Sequence, residues 1–247
     1  MSVSCFICKF AVAGSFCIFF GYSYCINNPL KYTNPSGQIF GLIGGLIRGT
    51  INIFVKGDIL APVKEGLHGL GLDIKLLGGL FQGNFTQILS RNTWESLQTA
   101  VGFLYSEYNL LTHDIEAIEY YDGATYVLNK NRDYNNGISI GSYININDKG
   151  DLPYDENGNF APYKNIMYMH EYGHYIQSQG YGFGYLFNIG IPSLLSLSPF
   201  GDGKEMYIGN VPKHRYKWFE RSANKKAVKY FEGLYDKWDY INYPIKK

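Results

Sequence analysis

The pentapeptide His170-Glu171-Tyr172-Gly173-His174 restricts the fold of this chain more than any other part of its sequence. Residues four apart lie on one face of an α-helix, so the two histidines can bind one metal ion only if this segment is helical. The flanking residues favour a helix, because Pro162 suits the first turn and Gly180 is a suitable stop. The sequence therefore predicts a helix that presents His170 and His174 to a common ion.

Glu171 is the candidate catalytic base of such a site. A bound zinc ion lowers the pKa of a water molecule towards neutrality and polarises a peptide carbonyl, and an adjacent carboxylate can take up the water's proton. The alternative is a partly buried helix with incidental histidines, but two of only five histidines at this spacing favour the metal site. Gly173 agrees, since glycine in mid-helix costs about 1 kcal/mol against alanine and indicates that another element packs closely there.

A third protein ligand is expected, because a catalytic zinc ion usually has three ligands and one open position. The metzincin extension would place a histidine at position 180, where this chain has Gly180, so that class is excluded. The candidates later in the chain are Asp202, Glu205, His214, Glu220, Glu232 and Asp236. Glu220 is the preferred ligand, and the alternative for it is a solvated surface charge.

Glu220 begins a predicted helix in which Ala223 and Asn224 share its face. The small side chain of Ala223 would let this face approach the first helix, and Asn224 would then hydrogen-bond a ligand histidine. His214 is open to two roles, as a ligand or as a stabiliser of the transition-state oxyanion. A tyrosine hydroxyl can also stabilise the oxyanion, and the candidates are Tyr181, Tyr185, Tyr207 and Tyr230.

The pattern around these residues predicts an α+β fold. Strands are expected at Ile115–Tyr121 and Ala124–Asn129, which flank the hairpin turn signal Asp122-Gly123. Alternating side chains predict a third strand at Ile138–Ile146, and together these strands would form a small antiparallel sheet. Further helices are predicted at Thr93–Tyr108, with Thr93 as the cap, and at Lys217–Tyr230.

The net charge limits the partners that can be expected, and the first residues of the chain are tested for a targeting signal and a cysteine site. A net charge of +1 provides no broad positive surface, so no nucleic-acid partner is expected. The apolar run Phe10–Phe20 has the size of a signal-peptide core but no clean cleavage site, and it is not a convincing signal peptide. All cysteines lie in this region, and we interpret them as scattered apolar residues rather than a metal or redox site: Cys5, Cys8, Cys17 and Cys25.

A second apolar stretch, Ile39–Val55, carries Gly41, Gly45 and Gly49 at the spacing of packed membrane helices. It is short for a membrane span and contains Arg48. We interpret it as a flexible apolar linker, with membrane contact as the less favoured alternative.

Residues 22–37 resemble the motif that closes the RHS-repeat associated core, Y-x-Y-x-x-N-N-P-L-x-Y-x-D-P-S-G. The chain reads YSYCINNPLKYTNPSG here and departs from the motif at Asn34, where the family usually has aspartate. In that family a variable C-terminal toxin domain begins just after this motif. The resemblance implies that residues 1–38 are the end of such a core and that a delivered effector follows.

Residues 90–230 resemble a zinc-peptidase domain found at the ends of RHS proteins. The similar segments are Asn92–Thr99, His170–Gln179, Gly184–Leu186, Gly190–Leu194 and Trp218–Asn224. The resemblance implies a zincin fold of the gluzincin kind, with an edge strand above the active-site helix and a second ligand-bearing helix. It also implies His170, His174 and Glu220 as ligands and Glu171 as base, although relatives often carry aspartate at the position of Asn224.

These observations give a division into residues 1–38, an RHS-type leader, residues 39–90, a glycine-rich apolar linker and helical region, and residues 91–247, a zincin-like domain. The expected function is a zinc-dependent endopeptidase, the effector end of an RHS-type polymorphic toxin that is bacterial and secreted or delivered. Its expected partners are a protein or peptide substrate and an immunity protein. The alternative is an inert cassette remnant or a metal-containing binding module.

Overall fold

A computed structural model describes residues 40–112, 115–129, 135–197, 207–208 and 211–246. The predictions for the cysteines and for residues 1–38 lie outside these residues, as do the candidate ligands Asp202 and Glu205. The described residues form two compact units, one within Met1–Leu77 and Phe103–His113 and the other within Gly78–Gly102 and Asp114–Lys247.

The described part of the chain combines helices with a small sheet, so the predicted α+β class is confirmed. Its helices are α1 (Phe40–Lys56), α2 (Ala61–Gly78), α3 (Phe85–Asn92), α4 (Ser96–Thr112), α5 (Ile166–Tyr181), α6 (Ile191–Leu197) and α7 (Trp218–Tyr230). Its strands are β1 (Ile115–Tyr121), β2 (Ala124–Asn129), β3 (Asn136–Ile140), β4 (Tyr143–Asn147), β5 (Tyr207–Ile208) and β6 (Val211–Pro212).

In the first unit, α1 replaces the flexible linker that the sequence predicted. Its glycines form a smooth face against α2, where a Cβ at Gly45 would lie 2.0 Å from the carbonyl oxygen of Glu65 and one at Gly49 2.3 Å from Pro62 Cα. Glycine thus permits close helix packing here instead of breaking the helix. No helix within the described ranges is both long and apolar enough to cross a membrane.

The four-stranded sheet of the second unit has the order β1-β2-β4-β3. The hairpin at Asp122-Gly123 is confirmed, with both residues at positive φ. The expectation of an antiparallel sheet is wrong, because β2 and β4 run parallel. The predicted strand Ile138–Ile146 is two strands joined by a turn at Gly141, and the β3–β4 hairpin carries β4 back between β2 and β3.

The helix predicted at Thr93–Tyr108 begins later, at Ser96. Thr93 follows α3, and its hydroxyl donates to the carbonyl oxygen of Leu89 at 2.7 Å, so it does not cap the next helix. The helix predicted at Lys217–Tyr230 is confirmed to within one residue as α7.

The core of the second unit lies between the sheet, α5 and α7. It consists of fully buried apolar and aromatic side chains, among them Tyr126, Leu128, Ile144, Tyr168, Tyr172, Ala227 and Phe231. Large aromatic rings that bury this much surface dominate the packing energy of a small core. The core therefore fixes α5 between β3 and β4 on one side and α7 on the other.

Candidate metal centre

Helix α5 holds the two histidines of the pentapeptide. Asn165 caps the helix by accepting a hydrogen bond from the Met167 N–H at 3.0 Å, and Gly182 ends it at φ +52°. The uninterrupted helix between these caps places His170 and His174 one turn apart, with ring centroids separated by 4.8 Å. The predicted helix around the motif is confirmed, but its predicted ends are wrong: Pro162 lies in a separate 3₁₀ turn before the helix, and the helix continues past Gly180 to Tyr181.

The close approach expected at Gly173 is made by α7. A Cβ at Gly173 would lie 2.2 Å from the carbonyl oxygen of Ala223, a residue that is itself fully buried. Two helices can approach this closely only where neither carries a large side chain at the crossing. Since Glu220 lies one turn before Ala223, the crossing brings its carboxylate to the histidines.

Three potential ligand atoms converge at this crossing. The Oε2 atom of Glu220 lies 3.2 Å from His170 Nε2 and 3.1 Å from His174 Nε2. All three ligand atoms lie within 4.8 Å of one another. The side chains of His170, His174 and Glu220 are 12%, 8% and 3% exposed, so the group is almost closed to bulk solvent.

The other ring nitrogen of each histidine is fixed by a side-chain carbonyl. His170 Nδ1 lies 2.6 Å from Asn224 Oδ1, and His174 Nδ1 lies 2.8 Å from Gln177 Oε1. Because an amide oxygen only accepts, each Nδ1 carries the proton, and each Nε2 can offer a lone pair to a cation. Asn224 was expected in this role, whereas Gln177 was missed although it follows His174 by one helical turn.

Charge and burial oppose each other at Glu220 and His174. Burial would raise the pKa of Glu220, but the hydrogen-bonded histidines outweigh it and hold that pKa well below its usual value. Burial would lower the pKa of His174, but the Glu220 carboxylate outweighs it and raises that pKa to about 9. A carboxylate this strongly held in its charged form suits a cation ligand.

Glu171, the candidate base, lies between α5 and the edge strand β3. Its Oε2 atom accepts a hydrogen bond from the Ser139 hydroxyl at 2.9 Å, and the same hydroxyl lies 2.8 Å from the Glu171 carbonyl oxygen. A Cβ at Gly137 would come within 2.6 Å of the Glu171 carboxylate, so glycine makes room for it. Ser139 could not be identified from the sequence, because this contact depends on which strand lies beside α5.

The remaining candidates fall into two groups. His214 contacts the candidate ligand group, because its Nε2 atom lies 3.1 Å from Glu220 Oε1. The Tyr185 hydroxyl lies near the candidate base and donates to the carbonyl oxygen of Ser139 at 3.0 Å. Tyr230 donates to Asp122 instead, away from the histidines. Glu232 and Asp236 are exposed and are not part of the metal-ligand group.

Comparisons of this chain with protein-family models, with curated proteins and with solved structures give no match.

Proposed function

We propose that this chain is a zinc-dependent endopeptidase whose ligands are His170, His174 and Glu220 and whose general base is Glu171. One observation carries the proposal: two imidazole Nε2 atoms and one carboxylate oxygen converge at a buried helix crossing. Two histidines and one glutamate are the ligand set of many catalytic zinc sites that keep one position open for substrate.

The residues fit a zinc ion in chemistry as well as in position. Both imidazoles have their Nδ1 atoms fixed by amide oxygens, which orients the rings and raises the basicity of Nε2. The carboxylate is held in its charged form. When bound, zinc supplies a Lewis acid that polarises the scissile carbonyl and makes water a better nucleophile at neutral pH.

Glu171 moves the proton in this proposal. Its carboxylate is near enough to His174 to raise the pKa of that histidine, and Ser139 donates one hydrogen bond to Oε2. A carboxylate with such a donor keeps one orientation and retains lone pairs for the proton of the attacking water. Glu171 would then donate that proton to the leaving amine, so it would act first as a general base and then as a general acid in one catalytic cycle.

The outer strand β3 is the candidate for holding an extended peptide. It pairs with β4 along one edge, while along the described chain no strand pairs with its other edge. An extended substrate can add to such an edge by main-chain hydrogen bonds. Tyr185 donates to the carbonyl of Ser139, so a peptide would pair beside this residue, towards Gly137.

The test combines metal analysis with proteolysis. We expect about one zinc per purified chain, by the usual stoichiometry of such sites. A peptide library should be cleaved, and chelation should abolish cleavage. Glu171→Gln should retain zinc and lose proteolysis, since it removes the base but no ligand.

Glu156→Gln is the matched control, because Glu156 is exposed in the loop before α5 and should leave both zinc and activity unchanged. Full proteolysis by the Glu171→Gln variant would rule out the mechanism. A chain that binds zinc and cleaves nothing in the library would instead favour a metal-containing binding module.

We further propose that this activity serves a delivered toxin, because residues 22–37 resemble the end of an RHS core. We expect expression inside a bacterial host to arrest growth, and the Glu171→Gln variant to be harmless. A partner that restores growth by binding the wild-type chain would be the immunity protein. Toxicity that survives Glu171→Gln would contradict the toxin role of the peptidase.

A further inference from the structure

The two carboxylate oxygens of Glu220 have different surroundings. Oε2 lies between the two ligand histidines. Oε1 accepts a hydrogen bond from the Ser193 hydroxyl at 2.9 Å and lies 3.1 Å from His214 Nε2. Because a carboxylate only accepts, His214 Nε2 must be the donor of that contact.

The two donors on Oε1 come from separate elements. Ser193 lies on α6, and His214 lies in the short 3₁₀ turn Lys213–Tyr216 that precedes α7. Ser196, one turn after Ser193, contacts the other ring nitrogen of His214 and so ties the same two elements together. Both ring nitrogens of His214 are therefore engaged in contacts within the protein.

The consequence concerns how Glu220 can bind a cation. A free carboxylate can rotate and share a metal ion between both of its oxygens. Here two donors occupy Oε1, and the side chain is only 3% exposed, so water cannot easily take their place. Oε1 would thereby be held away from a bound ion, and Oε2 alone would be available to it.

We propose that Ser193 and His214 are positioning residues that hold Glu220 as a one-oxygen metal ligand. This inference rests on the proposed metal centre and adds α6 and the turn before α7 to it. A single oxygen from Glu220 leaves a coordination position for the substrate carbonyl, which a two-oxygen ligand would fill.

The experiment measures metal binding in pairs of variants. Ser193→Ala and His214→Phe remove the donors, whereas Ser193→Thr and His214→Gln each keep one. Ser222→Ala is the matched serine control, because Ser222 lies on α7 two residues after Glu220 and is not among the described residues that contact the Glu220 carboxylate. Zinc affinity is measured by competition with a chromogenic chelator, and the cobalt(II) form of each variant is compared by its visible spectrum.

We expect the donor-removing variants to bind zinc about 10–100-fold more weakly, the range usual for groups that orient a ligand. Their cobalt spectra should shift as the second oxygen joins the metal, and the conservative variants should restore both readouts. Far-UV circular dichroism confirms that each variant is folded before titration.

Three results of this experiment would contradict the positioning role or the proposed function. Wild-type affinity and spectrum in both donor-removing variants would overturn the positioning role while leaving the metal centre intact. Failure of His214→Gln to restore binding would overturn it for His214, because it would make the imidazole itself a ligand. A wild-type chain that binds neither zinc nor cobalt would refute the proposed function, and the inference with it.

Discussion

Asn224 and Gln177 each accept a hydrogen bond from the Nδ1 atom of one ligand histidine. Their own amide groups are fixed in turn, because Asn224 donates to the carbonyl oxygen of Pro244 and Gln177 to that of Phe219, both at 2.8 Å. An aspartate at position 224 could not make the contact with Pro244. The asparagine is therefore matched to the C-terminal segment of this chain.

For the proposed zinc site, the raised pKa of His174 predicts an affinity that depends on pH. The pKa of His174 is raised to about 9, so its ring is protonated at neutral pH, while a zinc ligand must offer a free Nε2 lone pair. Zinc must displace this proton, and we expect affinity to rise as pH rises and to level off above about 9.

Calorimetric titration in buffers of different ionisation enthalpy measures the protons released on binding. Near neutral pH we expect about one proton per zinc, and the Kd should fall as pH increases. Affinity that stays constant from neutral pH to above the pKa of His174 would contradict the assignment of this histidine as a ligand.

At the scale of elements, the crossing of α5 and α7 depends on Gly173. An added methyl group would lie 2.2 Å from a backbone oxygen of α7, and backbone cannot move aside as a flexible side chain can. We expect Gly173→Ala to destabilise the protein by about 1–3 kcal/mol through overpacking. It should also weaken zinc binding, because α7 carries Glu220.

Gly180 on the same helix is the control for this prediction. A Cβ there would meet nothing within 4 Å, so Gly180→Ala should be neutral or stabilising by up to about 1 kcal/mol. Urea unfolding and chelator competition measure the two effects. Equal free energies of unfolding for the Gly173→Ala and Gly180→Ala variants would contradict the close crossing of α5 and α7.

The same elements show what the sequence could predict. Helices α5 and α7 and the β1–β2 hairpin carry local signals, namely apolar periodicity and the Asp122-Gly123 turn, and their existence and type were predicted, although the caps of α5 were not. The parallel pairing of β2 with β4 was not predicted, because it depends on the crossover between these strands and on contacts between residues far apart in sequence. Ser139 and Ser193 were missed for the same reason: a lone serine has no pattern, and only the fold brings it to a carboxylate.

The grouping of the candidate ligand residues was easier to predict than their surroundings. His170 and His174 are close in sequence, and their spacing alone implies a shared face. Glu220 could be preferred because Ala223 and Asn224 have the same helical phase. The helix at Phe40–Lys56 was missed because its glycines favour a loop when read singly, whereas packing against α2 turns them into a contact surface.

In the molecule as a whole, the proposed metal centre would join segments that are far apart in the chain but belong to one compact unit. Its proposed ligands lie on α5 and α7 and the residues proposed to support them on β3 and α6, and all belong to Gly78–Gly102 with Asp114–Lys247. A ligand that binds only the folded state stabilises it by mass action, by about 2.7 kcal/mol at roughly 100 times the Kd. We therefore expect zinc to raise the Tm by several degrees and chelation to reverse the change.

Hydrogen exchange measured on proteolytic peptides identifies the segments that zinc stabilises. Protection on adding zinc should appear in α5, α7 and β3, because opening any of them breaks the centre, while α1 in the other unit should change little. Glu220→Gln should lose most of the zinc-dependent protection, since it removes the charge at the ligand position but keeps the shape of the side chain. Equal protection by zinc in the wild-type chain and in this variant would mean that the ion binds elsewhere.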